Sequence, residues 1–134
     1  MSDYLKIWRK EHTKIQDDLS QVNQLGILSR AGQMKLQELK KELESHLINE
    51  DLNFYPALEK TAEADTDLKQ ELSLFAADRD KIVSEAKAFF RKAESDPMAQ
   101  DIPSEFRRLS AILQGRISRE ENLLMKTYEK VAGL

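Results

Sequence analysis

Leu5, Trp8, Ile15, Leu19 and Val22 fall three, four or seven residues apart, with polar residues over most of the intervening stretch. That is one apolar stripe of an amphipathic helix, predicted near residues 3–23. Ser2 is the expected N-cap, and Gly26 stands just past the end, where a left-handed residue closes many helices. A second stripe, Leu36, Leu39, Leu43, Leu47, Phe54 and Leu58, predicts a long helix near 31–62, with Asp65 and Thr66 offering the next cap. Pro56 inside it removes one backbone hydrogen bond, so a kink is expected around 52–56. The third stripe is Leu68, Leu72, Phe75, Ile82, Ala86 and Phe89, for a helix near 66–94. After the break at Ser95-Asp96-Pro97, the stretch Asp101 to Ser104, with Pro103 in the first turn, restarts the chain. Phe106, Leu109, Leu113, Leu124 and Val131 form the fourth stripe, which ends before Gly133. Nothing reads as a strand or a linker. The expected fold is all-α: one domain over 1–134, an up-down antiparallel four-helix bundle.

Six ionisable side chains stand on these stripes where carbon is expected. His12 lies between Trp8 and Ile15, and His46 and Glu50 continue the Leu36-Leu39-Leu43 seam. Arg79 sits between Phe75 and Ile82, and Arg116 and Glu120 follow Phe106-Leu109-Leu113. A buried charge costs several kcal/mol unless it is paired or bound to metal, so six chance placements are improbable. Counted from the turns, their heights agree to about one helical turn at ~1.5 Å per residue. All six are therefore expected in one layer near mid-bundle.

A weak internal repeat organises that layer. Trp8, Glu11, His12, Lys14 and Ile15 correspond to Phe75, Asp78, Arg79, Lys81 and Ile82. Leu39, Leu43, His46, Leu47, Glu50, Asp51 and Phe54 correspond to Leu109, Leu113, Arg116, Ile117, Glu120, Glu121 and Leu124. Each half is a helix pair with one ionisable residue followed by a residue-x-x-x-Glu pair. The nitrogen residues are His in the first half and Arg in the second.

The segment His46-Leu47-Ile48-Asn49-Glu50, with Phe54-Tyr55-Pro56 downstream, resembles the His-x-x-x-Glu motif of the hemerythrin-like, HHE cation-binding family. Glu11-His12 resembles that family's opening His. Arg116 to Glu120 resembles its second His-x-x-x-Glu, and Asp78-Arg79 its third-helix acidic-His pair, both with Arg in place of His. The resemblance runs over about residues 4–131. It implies a four-helix bundle that holds metal between His and carboxylates and binds oxygen, handles iron or responds to redox conditions. By the same resemblance, His12, His46, Glu50 and Glu120 match liganding positions. Arg79 and Arg116 cannot ligate, because guanidinium stays protonated and has no free lone pair. They are expected instead to replace metal as ion-pair partners of Glu50 or Glu120, the alternative being that they snorkel outward from the bundle edge. Trp8 is expected to serve packing, and Tyr55 either to donate a hydrogen bond into the layer or to lie on the surface. The expectation is at most one ion per chain, iron or zinc, with a metal-free interaction module as the alternative. The expected ligands are that ion or a small diatomic molecule, with a protein partner of unknown identity and no membrane.

Composition narrows the remaining classes. With 21 basic against 24 acidic residues the net charge is −3, which offers no surplus to neutralise phosphates, so nucleic acid is not an expected ligand. The absence of Cys removes disulfides, thiolate metal sites and a cysteine nucleophile. No apolar run approaches the ~20 residues of a membrane span and no signal-peptide pattern is present, so a soluble cytoplasmic domain of bacterial type is expected. Ser45 is adjacent to His46 and so faces elsewhere on a helix, and there is no glycine-rich phosphate loop. The chain is not expected to be an enzyme.

Overall fold

The computed structural model describes residues 2–133. It contains four long helical rods and, among the described residues, no strand. The first rod is α1 (Ser2–Leu25); the Ser2 side chain, the expected cap, lies outside the described residues. The second is continuous over 30–62 and has three parts: α2 (Arg30–Asn49), a π-helical turn (Glu50–Phe54) and α3 (Tyr55–Ala62). The third is α4 (Thr66–Ser95). The fourth repeats the second: α5 (Ile102–Arg119), a π turn (Glu120–Leu124) and α6 (Met125–Ala132). No helix among the described residues is long and apolar enough to cross a membrane.

Local chemistry sets the rod ends. Gly26 adopts φ 85°, the left-handed conformation that closes α1. Ser29 caps α2, its Oγ accepting from the Gly32 amide at 3.0 Å. At Gly32 a Cβ would lie 1.9 Å from the Gly26 carbonyl oxygen, so this tight hairpin requires glycine at that point. The Asp65 carboxylate accepts from the Leu68 amide at 2.9 Å and starts α4, and Gly133, at φ 76°, ends α6.

The irregularity expected from Pro56 takes another form and has another cause. In the second rod the Tyr55 amide donates to the Glu50 carbonyl, five residues back. In the fourth rod the Met125 amide does the same to Glu120, where the position matching Pro56 is Lys126. Two π turns at equivalent places, only one followed by proline, show that proline does not create them.

The apolar interior falls into two clusters. The larger runs from Ile15, Leu19 and Val22 through Leu39, Phe89 and Phe106 to Ile117. The smaller gathers Trp8, Phe54, Leu58, Leu68, Phe75, Leu124 and Tyr128. Between them lies a polar layer.

Candidate metal centre

The layer is built at the two π turns. Glu50 and Glu120 each open one, and His46 and Arg116 stand one turn earlier on the same rods. Such single π turns concentrate at functional sites because they re-aim side chains within an otherwise regular helix. His12 comes from the middle of α1. His12, His46, Glu50 and Glu120 are all buried, and each offers a ligand atom within 4.8 Å of the others.

The geometry inside this group is directional. His12 Nε2 lies 3.4 Å from Glu120 Oε1 and 3.9 Å from Glu50 Oε2, and His46 Nε2 lies 3.2 Å from Glu50 Oε2. The opposite ring nitrogens are tied outward: His12 Nδ1 to Glu121 Oε2 at 2.7 Å and His46 Nδ1 to Glu11 Oε1 at 2.8 Å. Glu11 is itself fixed by the Asn49 amide at 2.7 Å. A carboxylate on Nδ1 selects the tautomer with a free Nε2 and raises its basicity, which is the usual arrangement behind a metal-binding imidazole. Trp8 Nε1 donates to Glu50 Oε2 at 2.7 Å, and its ring stacks on Phe54 at 4.5 Å. Tyr55 donates to Glu120 Oε2 at 2.7 Å.

One of the four candidate ligand side chains carries a buried atom with no hydrogen-bond partner. His12 Nε2 is fully buried and makes no aligned hydrogen bond, although it faces a second imidazole and two carboxylates. Two imidazoles and two carboxylates suit a divalent transition metal. At metal–ligand distances of ~2.0–2.2 Å, ligand atoms would stand roughly 3–4 Å apart. The His–Glu separations here already fall in that span.

The match to known proteins agrees with this arrangement. Residues 3–128 match the family model of the hemerythrin HHE cation-binding domain. The chain belongs to that family. No curated protein and no solved structure matches it. HHE domains bind metal ions, and the His/Glu group described above is where this HHE domain could hold one.

The two arginines of this HHE domain behave differently. Arg116 is buried at the edge of the layer. Its Nη1 donates to the Phe75 carbonyl at 2.7 Å and to Asp78 at 3.2 Å, its Nη2 donates to Tyr55 Oη at 2.9 Å, and Glu120 Oε2 lies 3.6 Å away. Arg79 does not join the layer or replace metal beside a glutamate, contrary to the expectation. Its guanidinium turns outward to Asp51 Oδ2 at 2.6 Å, with Asp80 at 3.9 Å. A long arginine stem on a seam position can carry its charge to the surface, and Asp51 supplies the counter-charge there.

Three contributors, Trp8, Glu11 and Glu121, escaped the sequence reading. Trp8 reads as packing, yet donates to Glu50; Tyr55, expected either as a donor into the layer or at the surface, is the donor, to Glu120. Glu11 and Glu121 each neighbour a seam residue and brace an imidazole on another helix. Their sequence signal is an acid beside the seam, which is common on solvated helix faces.

Electrostatics completes the picture. Burial opposes charge on His12, but the Glu120 and Glu50 carboxylates outweigh it and raise the imidazole to about 9. His46 moves up by the same balance, with Glu50 as the main attraction. Burial pushes the Glu50 carboxyl upward, but His12 and His46 override it and hold it well below its usual range. Glu120 goes the other way, raised by burial and by the Glu50 charge. Burial and Glu120 push the Tyr55 phenol far up, so it stays protonated as a donor.

Proposed function

We propose that this HHE domain holds one divalent transition-metal ion, iron or zinc, through His12 Nε2, His46 Nε2, Glu50 and Glu120. Its role is that of a binding protein responsive to oxygen, iron or redox state, not an enzyme. The observation that carries the reading is the unpartnered, buried His12 Nε2, aimed at His46 and two carboxylates and braced from behind by Glu121. An imidazole placed that way for packing alone would lose a hydrogen bond to no purpose. The two glutamates neutralise a divalent charge, and iron in this place would supply a redox-active centre able to take a small diatomic ligand. A second ion has no nitrogen ligand, since Arg116 fills its side of Glu120 and Arg79 points away.

A second reading rests on the same Arg116. Its guanidinium lends Glu120 positive charge without metal, as a metal-free bundle acting as a protein-interaction module would require. Metal counting separates the two. Protein purified without chelator, then reconstituted anaerobically with ferrous iron or with zinc and freed of unbound ion, is expected to hold one ion per chain. His12→Ala is expected to lose it. Wild type that retains no ion under either condition would leave the metal-free module, and two ions per chain would refute the single-site assignment.

A further inference from the structure

Glu50 and Glu120 occupy equivalent places on their rods, but their carboxylates are held differently. In Glu50, Oε2 takes the Trp8 indole proton and also faces both imidazoles. Glu120 divides the work. Its Oε1 faces His12 Nε2, while Oε2 accepts the Tyr55 hydroxyl proton at 2.7 Å. The Tyr55 oxygen accepts in turn from Arg116 Nη2, which commits its own proton to Glu120. Arg116 is anchored independently by the Phe75 carbonyl and Asp78, so this relay has a fixed origin.

We propose that Tyr55 is a positioning residue that makes Glu120 a one-oxygen ligand. With Oε2 reserved for the phenol, only Oε1 is presented to the interior of the layer. A carboxylate freed from Tyr55 would close both oxygens on the ion and fill a place that an incoming small ligand needs. Arg116 acts one step further back, by holding the phenol in line. The inference rests on the metal reading above and adds the number of oxygens Glu120 gives. A tyrosine serving only as packing would have no reason to direct its proton at the layer, since a phenylalanine of nearly the same shape would pack as well.

Cobalt(II) is the probe, because its visible d–d bands weaken as the coordination number rises. Wild type and Tyr55→Phe are each loaded with cobalt, freed of excess ion, assayed for cobalt per chain and compared by absorption and far-ultraviolet circular dichroism. The expected result is one cobalt per chain in both, equal helix content, and d–d bands several-fold weaker in the variant. Superimposable bands at equal cobalt content would overturn the role of Tyr55 and leave the metal site standing. Failure of wild type to take up cobalt would overturn both. If Tyr55→Phe does not fold, Arg116→Gln carries the comparison, since it keeps the phenol but removes the group that aligns it. Weaker bands in that variant support the proposal, and unchanged bands overturn it.

Discussion

Replacing Arg116 and Arg79 separately by Met should give very different results, although both sit on interior stripes and both fall at nitrogen positions of the family pattern. Arg116→Met removes a guanidinium whose side chain is 7% exposed and strips donors from the Phe75 carbonyl, Asp78 and Tyr55 at once. It also leaves Glu120, 2% exposed, without the guanidinium that stands 3.6 Å from its carboxylate. Breaking one side of a buried ion pair costs about 3–5 kcal/mol, and the methionine recovers little of that because the stranded groups stay buried. Arg79→Met loses a pair with Asp51, whose side chain is half exposed. Exposed pairs are worth about 0–1 kcal/mol, and an apolar residue on an interior stripe offsets part of even that. The measurement is urea unfolding of chelator-treated protein at neutral pH, followed by circular dichroism, with equal m-values required before the midpoints are compared. The same pair of variants reports which arginine belongs to the layer. A cost for Arg79→Met equal to or above that for Arg116→Met would refute the assignment of Arg79 to the surface.

Stability of the metal-free protein should fall with rising alkalinity. A proton held by His12 to about 9, against an ordinary 6.5, stabilises the fold fully below pH 6.5 and is lost as pH rises through 9. At about 1.4 kcal/mol per unit this amounts to about 3 kcal/mol, read from urea midpoints at the two ends of that window. Metal affinity should run the opposite way over the same range, because the Nε2 protons must leave first; isothermal titration with zinc in two buffers would detect their release, and pH-independent binding would refute it. Gly32→Ala should destabilise the first hairpin by about 1–3 kcal/mol, since its methyl would overlap the Gly26 carbonyl. Gly115→Ala meets only the flexible end of Arg119 and should gain up to about 1 kcal/mol in thermal unfolding, so equal melting shifts for the two variants would contradict this account.

The four rods were legible because their apolar stripes keep helical period over many turns, and the layer was legible because ionisable residues interrupt those stripes. The same logic misplaced Arg79, since a stripe position fixes where the Cα sits and not where a long, flexible side chain ends. Trp8 was read as packing, and Tyr55 was left between layer donor and surface, because an indole or phenol discloses its hydrogen bond only when the partner helix is in place. The π turns did leave a trace. His46, Glu50, Phe54, Leu58 and Ala62 are all buried at four-residue spacing, as are Arg116, Glu120, Leu124 and Tyr128. In a regular α-helix each step of four drifts about 40° around the axis, so four steps would carry the last residue about 160° from the first. An unbroken run of buried positions four apart therefore requires a locally wider turn. Pro56, the more conspicuous signal, drew attention to the right region for the wrong reason.

The polar layer also divides the protein mechanically. Above it one apolar cluster unites the two hairpin turns; below it a smaller one joins the beginning of α1 to α3, the beginning of α4 and α6. Apolar surfaces that do not touch cannot reinforce one another, so the two ends share stability only along the helix backbones and through the charged groups between them. An ion gripped by α1, the second rod and the fourth would act as a clasp across that seam. With it in place the bundle should open as one unit; without it, the lower end is free to loosen on its own while the upper end stays folded.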